Sequence, residues 1–347
     1  MEMTFRWYGS DDAVKLEHIR QIPGVTGVVG ALFDVPVGEI WPYEKIAFLK
    51  DQIERTGLRL SVIESIFVHE DIKLGRPSRD RLIENYCRSI ENLGANDISV
   101  LCYNFMPVFD WMRTDLAAML PDGSTTLTFS QNKLDAFDLS AGTGDLPGWG
   151  AAYSAKELNA LLSAYQKIEP EKLWENLAYF LEKTVPVAAA SNVKMAIHPD
   201  DPPWSIFGLP RIITSGEALK RLIRIVDYPA NGVTFCTGSL GAEPVNDLPQ
   251  IVREIGGEGR IHFVHARNVK VTGEGDFEES EHPSKHGSVD MYEVMRALHE
   301  IGFDGPIRPD HGRMIWGETG RPGYGLHDRA LGAMYLTGLL EAIEKSN

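Results

Sequence analysis

The chain has 347 residues, 43% of them hydrophobic and 24% charged, which suits a large soluble core and excludes wholesale disorder. Its 34 Lys and Arg against 49 Asp and Glu leave a formal net charge of −15, which argues against a nucleic-acid partner, since phosphate backbones call for clustered cations. Three cysteines, Cys87, Cys102 and Cys236, with no CxxC spacing, support neither a disulfide framework nor a zinc ribbon, and point to a reducing, cytoplasmic setting. No basic stretch followed by an apolar run opens the chain, and no segment approaches the roughly 18 apolar residues of a membrane span. A soluble, unprocessed protein without a membrane partner is expected.

In chain order, the spacing predicts strands over 4–8, 25–32, 59–64, 97–102, 194–198, 232–236, 260–265 and 306–310. Helical patterns fall near 11–21, 42–56, 78–93, 170–191, 216–226, 246–255, 289–301 and 328–345. Ser215 and Ser288 read as N-caps, and Gly94 and Gly302 as C-terminal stops. On the last helix, Leu331, Met334, Tyr335, Leu339 and Ile343 read as the face that packs on the body of the protein.

Alternating strands and helices require crossover connections, hence a parallel sheet covered by helices. Eight such units predict an α/β fold with a closed (β/α)8 TIM barrel in one domain over 1–347. No GxGxxG follows an early strand and GxxxxGK[ST] is absent, so the nucleotide-binding open sheets find no support. Residues 105–169 are too many for a simple loop and predict an insertion after the fourth strand that caps the C-terminal face; an oligomer contact would have the same composition.

Active sites of such barrels lie at the C-terminal strand ends, where four reactive residues fall: His198, Cys236, His265 and Asp310. Residues two apart share a strand face, which aligns His198 with Ala196 and Cys236 with Thr234, opposite the bulky apolar face destined for the helices. His265 shares its face with Phe263 and is preferred over His262. Two imidazoles, a thiolate and a carboxylate form a donor set for one divalent ion with coordination positions left for substrate. A nucleophilic cysteine at Cys236 would use the same residues but leaves Asp310 and one histidine idle.

These residues sit in longer recognisable stretches. His198-Pro199-Asp200-Asp201-Pro202-Pro203-Trp204, Phe235-Cys236-Thr237-Gly238-Ser239, His262-Phe263-Val264-His265-Ala266-Arg267-Asn268 and Arg308-Pro309-Asp310-His311-Gly312 resemble the mannonate dehydratase family in order and spacing. With Phe5-Arg6-Trp7-Tyr8-Gly9 the resemblance spans nearly the whole chain. It implies a xylose isomerase-like barrel, one Mn2+ or Fe2+ ion on His198, Cys236, His265 and Asp310, and dehydration of D-mannonate to 2-dehydro-3-deoxy-D-gluconate in hexuronate (glucuronate) catabolism. It also implies acid–base roles for His311 and Tyr324.

Removing water across C2 and C3 means taking a proton alpha to a carboxylate and expelling hydroxide, so a base, an acid and a charge-stabilising ion are all required. Tyr324 is expected to be the base and His311 the acid. Arg267, two residues past His265, is a candidate clamp for the substrate carboxylate, while His69 and Asn104 fall where they can meet substrate hydroxyls. His282 and Lys285 read as part of a mobile cover, and Cys87 and Cys102 as core. A homo-oligomer, a dimer, is expected. The other readings are a metal-dependent sugar isomerase or epimerase, a repair nuclease, which the acidic charge opposes, and a sugar-binding protein without catalysis.

Overall fold

The computed structural model of the protein describes residues 1–137 and 153–346. Among the described residues twelve strands are formed: β1 (Glu2–Arg6), β2 (Val25–Gly30), β3 (Arg59–Glu64), β4 (Val100–Tyr103), β5 (Asp115–Met119), β6 (Thr125–Ser130), β7 (Lys194–Ile197), β8 (Asn231–Cys236), β9 (Ile261–His265), β10 (Val269–Gly273), β11 (Asp276–Glu279) and β12 (Pro306–Arg308). Eight of them close a parallel barrel in the order β1-β2-β3-β4-β7-β8-β9-β12, and Met3 opposite Ile307 seals the last strand to the first. Each barrel strand falls where the sequence spacing puts it. The fourth is the most displaced, beginning at Val100 and not at 97, because Asp97 takes a left-handed φ of 58° in the turn that precedes it.

The strand residues sort by parity. Val29, Val62, Val100, Cys102, Ala196 and Phe263 pack against one another inside the barrel. Their neighbours Val28, Ile63, Leu101, Met195 and Val264 face outward into the larger core beneath the helices. In the helix Gly216–Ile225 the apolar face is Leu219, Leu222 and Ile223, at spacings of three and four, and Ser215 caps it by accepting from the Ala218 amide at 3.3 Å.

Three local expectations are corrected. The cap of Met291–Glu300 is Asp290, whose carboxylate accepts from the Tyr292 and Glu293 amides; Ser288 instead accepts from the Val271 amide. The helix beginning at Arg79 continues to Ala95, so Gly94 lies inside it, and a Cβ there would meet the Ser191 carbonyl at 2.3 Å, which makes it a point of close helix approach. On His327–Ser346, Leu331 and Met334 are exposed while Ala333, Leu336 and Ile343 are buried. The helix is rotated so that Gly332 faces His282, where a Cβ would come within 2.5 Å of the imidazole.

The segment after β4 does not act alone. Its strands β5 and β6 pair with β10 and β11, which follow β9, in a four-stranded antiparallel sheet ordered β10-β11-β6-β5. Phe129 and Phe277 stack across β6 and β11 with centroids 5.5 Å apart, and Trp204 packs edge-on against both. Of the expected insertion over 105–169, residues 138–152 lie outside the described residues. Among the described residues no helix is long and apolar enough to cross a membrane.

Candidate active site

The C-terminal strand ends bring His198, Cys236 and His265 together, with one donor atom from each lying within 4.8 Å of the other two. His198 follows β7 directly, Cys236 ends β8 and His265 ends β9, so three adjacent strands deliver them. Nδ1–H of His198 donates to the Pro199 carbonyl at 2.7 Å, which turns Nε2 toward His265 Nδ1 at 3.1 Å. The Cys236 sulfur accepts from the amide and hydroxyl of Ser239 at 3.4 and 3.2 Å. Burial opposes its ionisation, but Arg267 and His198 outweigh that and hold the thiol well below its ordinary range. Burial pulls His198 down, and the neighbouring Cys236 sulfur then carries it up to about 9. Two imidazole nitrogens and a thiolate this close need a proton or a cation between them, and the mixed N and S donor set fits a divalent ion.

Asp310 stands beside this group, its Oδ2 at 3.5 Å from His265 Nδ1. Its carboxylate is also held by Arg308 at 2.6 Å and Arg267 at 3.0 Å; these cations, Arg308 foremost, overcome desolvation and keep it ionised.

A second set of converging donors, Glu64, Cys102 and His265, lies deeper. Glu64 ends β3, with Oε2 3.4 Å from His265 Nε2 and Oε1 3.0 Å from Arg308. Cys102 is a different kind of thiol. It lies among the apolar side chains of the barrel interior, accepts from Thr234 Oγ1 at 3.2 Å, and is pushed well up by burial. A neutral core thiol is a poor ligand, so the first set is the better fit. Glu64 is absent from the sequence reading, although the signal was there: it ends a strand and shares the face of inward Val62.

Arg267 does not reach the open cavity. Its fully buried guanidinium is held by Asp201 at 2.6 Å, Glu279 at 2.5 Å and Asp310, so the expected substrate clamp is engaged by the protein's own carboxylates. Arg113 joins the same network, 2.8 Å from Asp201 and 2.6 Å from Glu279. Glu279 is supplied by β11, in the stretch that reads from sequence as a cover, and His282 is likewise buried while Lys285 is exposed.

Glu279 orients the next pair. It accepts from His311 Nδ1 at 3.1 Å, which leaves Nε2 to accept from the Tyr324 hydroxyl at 2.8 Å. Burial pushes the Tyr324 phenol well above its ordinary range, and Tyr8 and Asp310 add to the effect. With its neighbours as they stand, Tyr324 is a neutral hydrogen-bond donor to His311.

His198, His265, Asp310, His311 and Tyr324 line a cavity of about 360 Å3 together with Arg6, Asn104 and Trp111. Asn104 turns its Oδ1 to the Met106 amide at 3.2 Å. His69 is elsewhere: its Nδ1 accepts from the Asp71 amide at 3.0 Å, capping the short helix Glu70–Lys73, and it lines a neighbouring space of about 800 Å3. That larger space holds Glu70 and Lys73 paired at 2.7 Å and has no convergent donor cluster among the described residues.

Fold and site together define a barrel enzyme whose strand-end N and S donors sit beside a histidine–tyrosine pair. The family model for D-mannonate dehydratase (UxuA) matches residues 1–347, and the chain belongs to that family. It is 58% identical over 347 residues to a mannonate dehydratase of Streptococcus agalactiae serotype III, with all of both chains covered. A mannonate dehydratase of Thermotoga maritima is 57% identical over 355 aligned positions, covering 99% of this chain and 98% of its own. The crystal structure of mannonate dehydratase from Streptococcus suis serotype 2 superposes with a TM-score of 0.93 at 49% identity, covering 100% of this chain and 95% of that one. An L-ribulose 3-epimerase, at 14% identity and a TM-score of 0.56 over 100% of this chain and 97% of its own, shares the xylose isomerase-like fold alone.

Proposed function

We propose that this barrel mouth dehydrates D-mannonate to 2-dehydro-3-deoxy-D-gluconate and water, with His311 as base and Tyr324 as acid. The observation that carries the reading is the His311–Tyr324 hydrogen bond of 2.8 Å at the rim of the donor cluster, in a chain that matches the family from end to end. His198, Cys236, His265 and Asp310 would hold a divalent ion, Mn2+ or Fe2+. The chemistry such an ion supplies when bound is Lewis acidity, which makes the hydrogen at C2 more acidic and balances charge on the carboxylate.

The residues of the chain then move protons in a closed cycle. As the Tyr324 hydroxyl turns from Nε2 of His311 toward the C3 oxygen, that nitrogen is freed to take the C2 proton while Glu279 keeps Nδ1–H fixed. Tyr324 gives its hydroxyl proton to the departing C3 oxygen, so hydroxide leaves as water. Nε2–H of His311 then returns a proton to the phenolate as their hydrogen bond re-forms, and the pair is reset. The enol left behind becomes the 2-keto product by net transfer of its C2 hydroxyl proton to C3. An epimerisation on the same barrel would need a second acid–base group on the opposite face of the substrate, and no observation favours it.

Residues 105–169 are read as a cap, supported by Met106, Asp110 and Trp111 in the cavity wall. The physiological setting of this reading is hexuronate breakdown in the cytoplasm by a homodimer. The test is anaerobic reconstitution with Mn2+ or Fe2+ followed by assay of D-mannonate for the 2-keto-3-deoxy product. Absence of turnover with every ion tried sinks the reading.

A further inference from the structure

Among the described residues, Arg6 is a buried cation of the cavity wall with no ion-pair partner. It stands at the end of β1 and is only 5% exposed, and its Nη1 is buried without a hydrogen bond. The guanidinium carbon lies 4.6 Å from the ring centre of Tyr8 and 5.7 Å from that of Phe33, so aromatic faces flank it while the buried Nη1 keeps its N–H groups for a ligand. The other arginines of the site differ. Arg308 is occupied by Glu64 and Asp310, Arg267 lies outside the cavity wall in its own network, and Arg321 is exposed. An unpaired buried cation is costly, and a site that carries one is built to be completed by an anion.

On the reading that the substrate is an aldonate, we propose that Arg6 receives its carboxylate and thereby sets the preference for the acid over neutral sugars. Arg6 lines the same cavity of about 360 Å3 as His198, His265 and Asp310. It lies close enough to Glu64, itself 3.4 Å from His265, to help hold that carboxyl ionised after Arg308 and His265. A carboxylate has about four lone-pair positions, so it can meet a guanidinium edge and still offer an oxygen elsewhere. Arg267, the clamp expected from sequence, is replaced in this role by Arg6, which has no ion-pair partner among the described residues.

The experiment uses two ligands that cannot be dehydrated, 3-deoxy-D-mannonate and its 1-amide, titrated calorimetrically into the metal-loaded enzyme and its Arg6→Gln and Arg6→Lys variants. Arg6→Gln should weaken the acid about 10- to 100-fold, the scale of a charge-assisted hydrogen bond, and leave the amide within about 3-fold. Arg6→Lys, which keeps the charge without the fork, should show a smaller loss confined to the acid. It also carries the test if the glutamine variant does not fold. Equal losses for both ligands, or no loss for either, overturn the role of Arg6. Turnover of D-mannonate by the unaltered enzyme is the separate control: its absence sinks the functional reading, whereas its presence with an Arg6-independent preference sinks only this inference.

Discussion

The Tyr324 hydroxyl lies 2.8 Å from Nε2 of His311, and the two rings meet edge to face at 4.8 Å and 80°. Because Glu279 holds the far nitrogen of His311 at 3.1 Å, the shared proton belongs to tyrosine and the lone pair to histidine. The direction of proton flow in the proposed cycle follows from that asymmetry.

His311→Asn and Tyr324→Phe should each lower kcat about 10²- to 10⁴-fold, the usual weight of a general acid or base. They should differ in solvent exchange at C2. Tyr324→Phe keeps the base, so the C2 hydrogen still exchanges in D2O while dehydration stalls; His311→Asn loses both. Proton NMR of D-mannonate incubated with each variant reads the difference, and the opposite pattern makes Tyr324 the base.

The two buried cysteines of the barrel should separate cleanly. Cys236→Ser exchanges the low-lying thiol for a weaker ligand and should reduce bound metal to a small fraction after dialysis. Cys102→Ala, in the apolar interior, should keep full metal content and cost only about 1 kcal/mol of stability. Elemental analysis of both proteins, with denaturant midpoints, decides whether the ion sits with His198 or with Glu64.

Metal uptake should release protons. In the metal-free protein His198 titrates near 9, so at pH 7–8 it carries a proton that a bound ion displaces. Since the group is protonated below that value and neutral above it, release should approach one proton per ion from this site at pH 7.5 and fade as pH rises past 9. Titration in two buffers of different ionisation enthalpy measures the count; a value near zero at pH 7.5 contradicts the thiolate–imidazolium pair.

Glu279→Gln should be severe for reasons unrelated to substrate contact. The carboxylate balances Arg113 and Arg267, both fully buried, and its loss strands positive charge at a cost of about 3–5 kcal/mol. The same change frees the His311 tautomer, so kcat should also fall at temperatures where the variant is folded. A chemical-denaturation midpoint equal to that of the unaltered protein would contradict this account.

Strand period and parity determined the barrel and the meeting of His198, Cys236 and His265 at its mouth, because a two-residue alternation is a local property that survives any packing. The same rule contained Glu64, two residues beyond Val62 on the inner face. Other features were decided only by tertiary structure. Whether a guanidinium is free depends on carboxylates far away in sequence: Arg267 is engaged by Asp201 and Glu279, 66 and 12 residues distant, while Arg6 has no such partner among the described residues. Pairing of β6 with β11 turned a polar stretch into a sheet and brought Glu279 to His311, 32 residues on. The rotation of the last helix was set by the close approach of Gly332 to His282, a contact that its own apolar spacing does not encode. Charge compensation and close packing are sums over neighbours in space, and chain position alone does not supply those neighbours.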